Sequence, residues 1–207
     1  MIQSNVLYLP NFCSATDFHF PGWEDPSTFK EEAPIKIEYC SGNGDWIAER
    51  ALKDSTSNWI AVEMLFDRVR KIWSKKQNFT LNNLFIVSGE GLSFTRLYIE
   101  DSSVAGVFIN FPDPWPKRRH AKYRIIQADF IRELERILIP GSTFTFVTDD
   151  IDYSHEFIQL MNRFTEFESI DPAPFVTEKV GYGGSYFETI WRDQGKEIRY
   201  HEFRKKI

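Results

Sequence analysis

A chain of 207 residues, 42% hydrophobic and 27% charged, has enough apolar material for one well-buried α/β domain and too little for two. A formal net charge of −5 speaks against attraction of nucleic acid by the whole surface but leaves room for a local basic face, because distribution outweighs the sum. No apolar run approaches the ~20 residues of a membrane span, the N-terminus lacks the order of a secretory signal, and Cys13 and Cys40 are too few for a disulfide framework, so a cytoplasmic setting is expected.

Residues 1–34 carry Pro10, Pro21 and Pro26 among scattered aromatics without periodicity, and an irregular N-terminal arm is predicted there. A single domain is expected over residues 35–207. Ile35 to Tyr39 reads as a strand, Gly42-Asn43-Gly44 as the turn after it, and Asp45 to Leu52 as a helix. Trp59 to Glu63 follows as a strand, and Met64 to Lys76 as a helix with Leu65, Val69, Ile72 and Trp73 on one stripe. Leu84 to Val87 is a third short strand. Val104 to Asn110 is almost continuously apolar, as a strand buried on both faces should be.

Lys122 to Leu138 has the period of a long helix, stopped by Pro140-Gly141. Thr143 to Thr148 reads as a fifth strand and Asp152 to Phe164 as another helix. A hairpin of Tyr186 to Trp191 with Ile198 to Phe203 is predicted at the end. The fold class expected is α/β: a mostly parallel, Rossmann-like twisted sheet with an antiparallel C-terminal hairpin at its edge. His19, His120, His155 and His201 lack ligand spacing, so no metal site is predicted.

Residues 111–124 are the most informative segment. Asp113 lies between Pro112 and Pro114, Trp115 and Pro116 follow, and Lys117, Arg118, Arg119, Lys122 and Arg124 complete a basic strip. Phe111, Asp113 and Trp115 each precede a proline and are conformationally restricted. A stiff loop presenting an acid and an aromatic ring beside cations suits the gripping of a nucleobase with its phosphates nearby. A Pro-rich turn before a solvated basic helix has the same composition, and these residues alone do not separate the two readings.

In open α/β sheets, ligands bind beyond the carboxyl ends of strands, at the switch in strand order. Those ends carry acids in series: Glu38 before Ser41-Gly42-Asn43-Gly44, Glu63, Glu90 in Ser88-Gly89-Glu90-Gly91, and Asp113. Gly42 and Gly44 allow a tight turn and close approach of a ligand. An acid ending the second strand can grip both ribose hydroxyls. No phosphate-cradling glycine pattern occurs, and the acids would repel a pyrophosphate. They suit the ammonium and sulfonium groups of S-adenosyl-L-methionine, and so favour methyl transfer.

The ordered set Glu38 to Gly44, Glu63, Phe111 to Lys117, Arg119-His120, Thr148-Asp149 and Phe187-Glu188 resembles the bacterial tRNA (guanine-N7-)-methyltransferases from about Ile35 onward. The Pro112 to Lys117 motif is highly specific to that family, whereas the glycine turn is shared by many methyltransferases. The resemblance implies a class I methyltransferase fold, S-adenosyl-L-methionine as cofactor, and methylation of a guanine in the tRNA variable loop at position 46. It puts Glu38, Gly42, Gly44, Glu63, Glu90 and Asp113 at the cofactor, Asp113 also as the catalytic carboxylate. Lys117, Arg119, Asp149, Ser185, Tyr186, Phe187 and Glu188 then fall on tRNA-binding positions. Three positions depart from the family pattern: Cys40 for a glycine, Glu90 for an aspartate, and Ser185 for a threonine. A small-molecule or protein methyltransferase, and a non-catalytic RNA-binding module, are the competing functions; the basic strip disfavours the first and the retained acids the second.

Overall fold

The computed structural model describes residues 1–9, 19–29 and 31–207, with Arg118 placed by its backbone alone. Cys13 and Pro10 lie outside the described residues. In chain order the strands are β1 (Ile2–Gln3), β2 (Val6–Tyr8), β3 (Ile35–Tyr39), β4 (Asn58–Glu63), β5 (Leu84–Ser88), β6 (Val104–Asn110), β7 (Leu138–Thr148), β8 (Phe167–Ser169) and β9 (Arg199–Lys205). The helices are α1 (Asp45–Lys53), α2 (Phe66–Asn78), α3 (Gly91–Tyr98), α4 (Ala128–Ile137), α5 (Ile151–Met161) and α6 (Tyr186–Asp193), with a 3-10 segment over Arg118–Tyr123.

These strands form one sheet in the order β1-β2-β5-β4-β3-β6-β7-β9-β8. Neighbours from β2 through β7 run parallel, while β1, β9 and β8 pair antiparallel with β2, β7 and β9 respectively. The α/β class, the mostly parallel sheet and the antiparallel C-terminal strands are as the sequence implies. β4 is buried at every position, as its apolar run requires of a strand covered on both faces.

Helices cover the two faces separately. On one, Ile37, Tyr39, Val62 and Phe85 meet Phe94 of α3, Phe130 and Leu134 of α4 and Phe157 of α5. On the other, Trp59, Ala61 and Ile86 meet Trp46 and Ile47 of α1 and Val69 and Ile72 of α2. Each fully buried side chain of this size stabilises the fold by roughly 1.5–3 kcal/mol. The chain runs outward through β3, β4 and β5, then returns to place β6 on the other flank of β3. The strand order therefore switches between β3 and β6, where Tyr39 pairs with Ile109.

Several expectations are corrected. Part of the N-terminal arm is regular: β1 and β2 join the sheet, β2 pairing with β5. The long helix expected from Lys122 divides into the 3-10 segment and α4, which starts only at Ala128. Tyr186 to Trp191 is not a hairpin strand but lies in α6; β9 instead takes β7 and β8 as partners. α3, unread in the sequence, starts directly after Glu90.

Candidate active site

The turn after β3 is built on a repeated left-handed backbone. Cys40, Gly42 and Gly44 have φ of 58, 56 and 78°. At Gly44 a Cβ would lie 2.7 Å from Ile72 Cγ1, so no larger residue fits between α1 and α2. At Gly42 it would lie 3.3 Å from the Phe187 ring. Cys40 adopts the conformation its side chain disfavours, at a cost of about 1–2 kcal/mol. Glu63 pins the turn: Oε2 accepts the Gly42 N–H at 2.8 Å, and Oε1 accepts the Met64 and Leu65 N–H groups at 2.8 Å each. Arg68 lies 3.9 Å from the same carboxylate.

Glu38 is 1% exposed. Its Oε1 accepts from Asn110 Nδ2 at 2.7 Å, while Oε2 has no hydrogen-bond partner. The Tyr182 hydroxyl in turn donates to Asn110 Oδ1 at 2.8 Å. Burial pushes the Glu38 carboxyl up to about 8, so at neutral pH it is held largely as the neutral acid.

Asp113 is exposed and makes no ion pair with a described residue. Its loop is strained at both ends of the proline run, with φ of 48° at Phe111 and 43° at Trp115. Arg124 maintains that shape. Nearly buried, it donates from Nε to the Pro114 carbonyl at 2.6 Å, lies 4.7 Å over the Tyr153 ring and pairs with Glu156 of α5. It is a strut for the loop, not a free member of the basic strip. Trp115, His120 and Tyr123 cluster with ring centroids 5.5–6.0 Å apart.

Cys40 follows Glu38 by two positions and opens the turn whose Gly42 N–H is held by Glu63. The Cys40 thiol is pushed up by burial first, then by the negative charges of Glu63, Asp113 and Glu38, with Arg68 acting against them. Glu90 stands apart: exposed, it caps α3, accepting the Leu92 and Ser93 N–H groups at 2.8 and 2.7 Å.

Of the tRNA-side residues, Lys117 and Arg119 are exposed and pair with no described acid. Tyr186 is exposed, and Phe187 covers Gly42. Three others are engaged within the protein. Ser185 caps α6 through the Glu188 N–H at 3.0 Å, buried Glu188 accepts from Tyr200 Oη at 2.6 Å and Arg192 Nε at 3.0 Å, and Asp149 pairs with Lys196. Asn110 and Tyr182 join Glu38 in the site although the sequence reading assigned neither a role there, and Arg124, read as part of the basic strip, supports the Asp113 loop instead.

A family profile described as "Putative methyltransferase" matches residues 32–200. The chain is 45% identical to the tRNA (guanine-N(7)-)-methyltransferase of Chlamydia muridarum, covering all of this chain and 91% of the relative. The chain belongs to the tRNA (guanine-N7-)-methyltransferase family. A more distant relative of the same name, from Rubrobacter xylanophilus, is 26% identical over 92% of this chain and 87% of its own length. Among solved structures, the 16S rRNA methyltransferase KamB aligns with a TM-score of 0.63 at 12% identity, covering 86% of this chain and 90% of that one. A SAM-dependent methyltransferase from Aquifex aeolicus aligns at 0.57 and 12%, covering 84% and 82%. These likenesses establish the class I methyltransferase fold.

The methyltransferase family implies S-adenosyl-L-methionine, and the geometry fits it. Glu38 Oε2 is a buried carboxyl oxygen without a hydrogen-bond partner, and in the ionised form it is an acceptor that an ammonium or sulfonium would satisfy and a phosphate would not. From the glycine turn an open depression lined by Asn43, Leu65, Phe66, Asp67, Arg68 and Lys71 runs over the start of α2. No helix among the described residues is long and apolar enough to cross a membrane.

Proposed function

We propose that this protein transfers the methyl group of S-adenosyl-L-methionine to N7 of a guanine in tRNA, in the variable loop at position 46, and does so in the cytoplasm. The observation that carries this is the glycine turn at the strand switch, where Glu63 accepts the Gly42 N–H and buried Glu38 keeps Oε2 without a hydrogen-bond partner. On the cofactor side, Glu38 takes the cationic amino acid portion, Glu63 offers the ribose the acceptor capacity its backbone contacts leave free, and Gly42 and Gly44 shape the turn beside them. Glu90 reaches the adenine end with acceptor capacity its cap leaves free. When bound, the cofactor supplies an electrophilic methyl on sulfonium.

Guanine N7 carries an in-plane lone pair and no proton, so this chain need supply no general base. Asp113 does two things. It stabilises the positive charge the purine gains, and it accepts from the N1 and exocyclic amine edge, aiming N7 at the methyl. Trp115 stacks on the displaced base, since sequence-specific RNA contact targets unstacked bases. Lys117 and Arg119 hold phosphates, which fix position without reading sequence. Tyr186 and Phe187 line the RNA side, and Asp149, Ser185 and Glu188 shape it through their partners.

The deciding experiment offers labelled S-adenosyl-L-methionine with unmodified tRNA transcript, free nucleosides or protein. Label confined to the tRNA, with aniline-sensitive cleavage after reduction at the modified guanine, is expected. Label in nucleosides or protein, or in none of the three, would overturn the assignment.

A further inference from the structure

Three buried polar groups from distant parts of the chain form a line. Tyr182, in the segment leading into α6, donates its hydroxyl to Asn110 Oδ1 at 2.8 Å, and Asn110 Nδ2 donates to Glu38 Oε1 at 2.7 Å. Tyr182 is itself fixed. Its carbonyl accepts from Trp46 Nε1 at 2.9 Å and Arg50 at 2.6 Å, and its ring packs with Trp46 at 5.3 Å and Phe108 at 6.2 Å between centroids. Asn110 is the last residue of β6, at the root of the Asp113 loop.

An amide has one accepting and one donating end. With Oδ1 satisfied by a hydroxyl, the amino end is left facing the carboxyl. Against the ionised carboxylate, the form that meets a cation, reversal would set oxygen against oxygen. From this line we infer that Tyr182 is a positioning residue for the cofactor: through Asn110 it holds the Glu38 carboxyl so that Oε2 faces the incoming cation. The inference rests on the proposed cofactor role of Glu38. It also means that the segment carrying Ser185 to Glu188 and the root of the Asp113 loop share one anchor with the cofactor acid.

The charged and titratable groups facing this acid are Glu63 of β4, Asp45 of α1, the neighbouring Cys40, and Tyr182 with Arg50 behind it. All except the Tyr182 hydroxyl survive in Tyr182→Phe, which keeps the ring on Trp46 and Phe108. Titration calorimetry with S-adenosyl-L-methionine from pH 6 to 9 should show two changes. The variant's Kd rises about tenfold, the scale of one buried hydrogen bond. The pH at which affinity climbs moves upward, because an amide no longer held against the carboxyl stabilises its ionised form less.

Asn110→Ala should give the same two changes, and the double variant no more than either single one. A wild-type Kd and an unmoved pH profile in Tyr182→Phe, or strictly additive effects, would show that Tyr182 only packs, while tRNA methylation by the wild type would leave the proposed function standing. Failure of the wild type to bind S-adenosyl-L-methionine would overturn both.

Discussion

The Arg124 guanidinium donates to the Pro114 carbonyl at 2.6 Å, joining the basic segment to the loop that presents Asp113. Left-handed backbone at Phe111 and Trp115 persists only where the surroundings over-determine it, and here Arg124, Tyr153 and Glu156 do so. Lysine at this position keeps a charge for Glu156 but loses the planar fork. Arg124→Lys should lose about 1–3 kcal/mol of stability and most of the turnover, with the salt dependence of tRNA binding unchanged. Thermal unfolding and binding at several salt concentrations check this. Lys117→Ala and Arg119→Ala should behave oppositely, each lowering the salt slope by roughly 0.7–0.9.

Asp113→Asn removes the charge and keeps the shape. Turnover should fall about 100-fold or more, as for loss of one preorganised electrostatic contact, while cofactor affinity falls much less. Calorimetry beside a methylation assay measures both, and near-normal turnover would refute the catalytic assignment.

Glu38 gives a signed pH prediction. Its folded value of about 8 lies above the 4.5 of an exposed glutamate. Its contribution to stability is therefore complete below pH 4.5 and is lost as pH rises through 8. Binding a cationic ligand ionises it, so uptake of cofactor at pH 7 should release a proton, detectable as heats that vary with the buffer's ionisation enthalpy. Glu38→Gln should abolish that release, weaken binding, and raise the melting temperature of the ligand-free protein at pH 8.

His201 sets the acid limit. Fully buried, it contacts the Pro174 carbonyl through Nδ1 at 2.8 Å and Ser154 Oγ through Nε2 at 3.1 Å, and burial lowers it to about 4. A histidine depressed from 6.5 stabilises the fold fully above that pH and ceases to as pH falls through 4. Urea unfolding between pH 7 and 4 should show a decline that His201→Phe flattens, although the variant starts lower for want of two hydrogen bonds.

At Cys40 the backbone cost can be isolated. Cys40→Gly should be about 1 kcal/mol more stable than Cys40→Ala, because only the glycine is at ease with φ of 58°. Equal stabilities would mean the turn relaxes in one of the variants.

The central strands were legible because burial on both faces leaves an unbroken apolar run, as in Val104–Asn110. So was the acid series at the strand ends, because it needs only local order. Tyr186 to Trp191 was misread: its aromatic and β-branched residues suit a strand, yet Ser185 with Glu188 three positions on is a helix-start signature. The structure uses it, Ser185 Oγ accepting the Glu188 N–H. The inward turn of Arg124 depends on Tyr153 and Glu156, about 30 positions away, and no local pattern shows it. The line from Glu38 through Asn110 to Tyr182 joins residues 72 apart at each step, beyond the reach of any spacing argument.

The short β2 strand pairs with β5 from Val6 to Tyr8. A chain begun at Ile35 would retain every site residue named above, yet strip β5 of this neighbour. The bared N–H and C=O groups of β5 would then be a template for other copies. The first nine residues thus complete the pairing of β5 and leave only the two-residue β1 at this edge of the sheet.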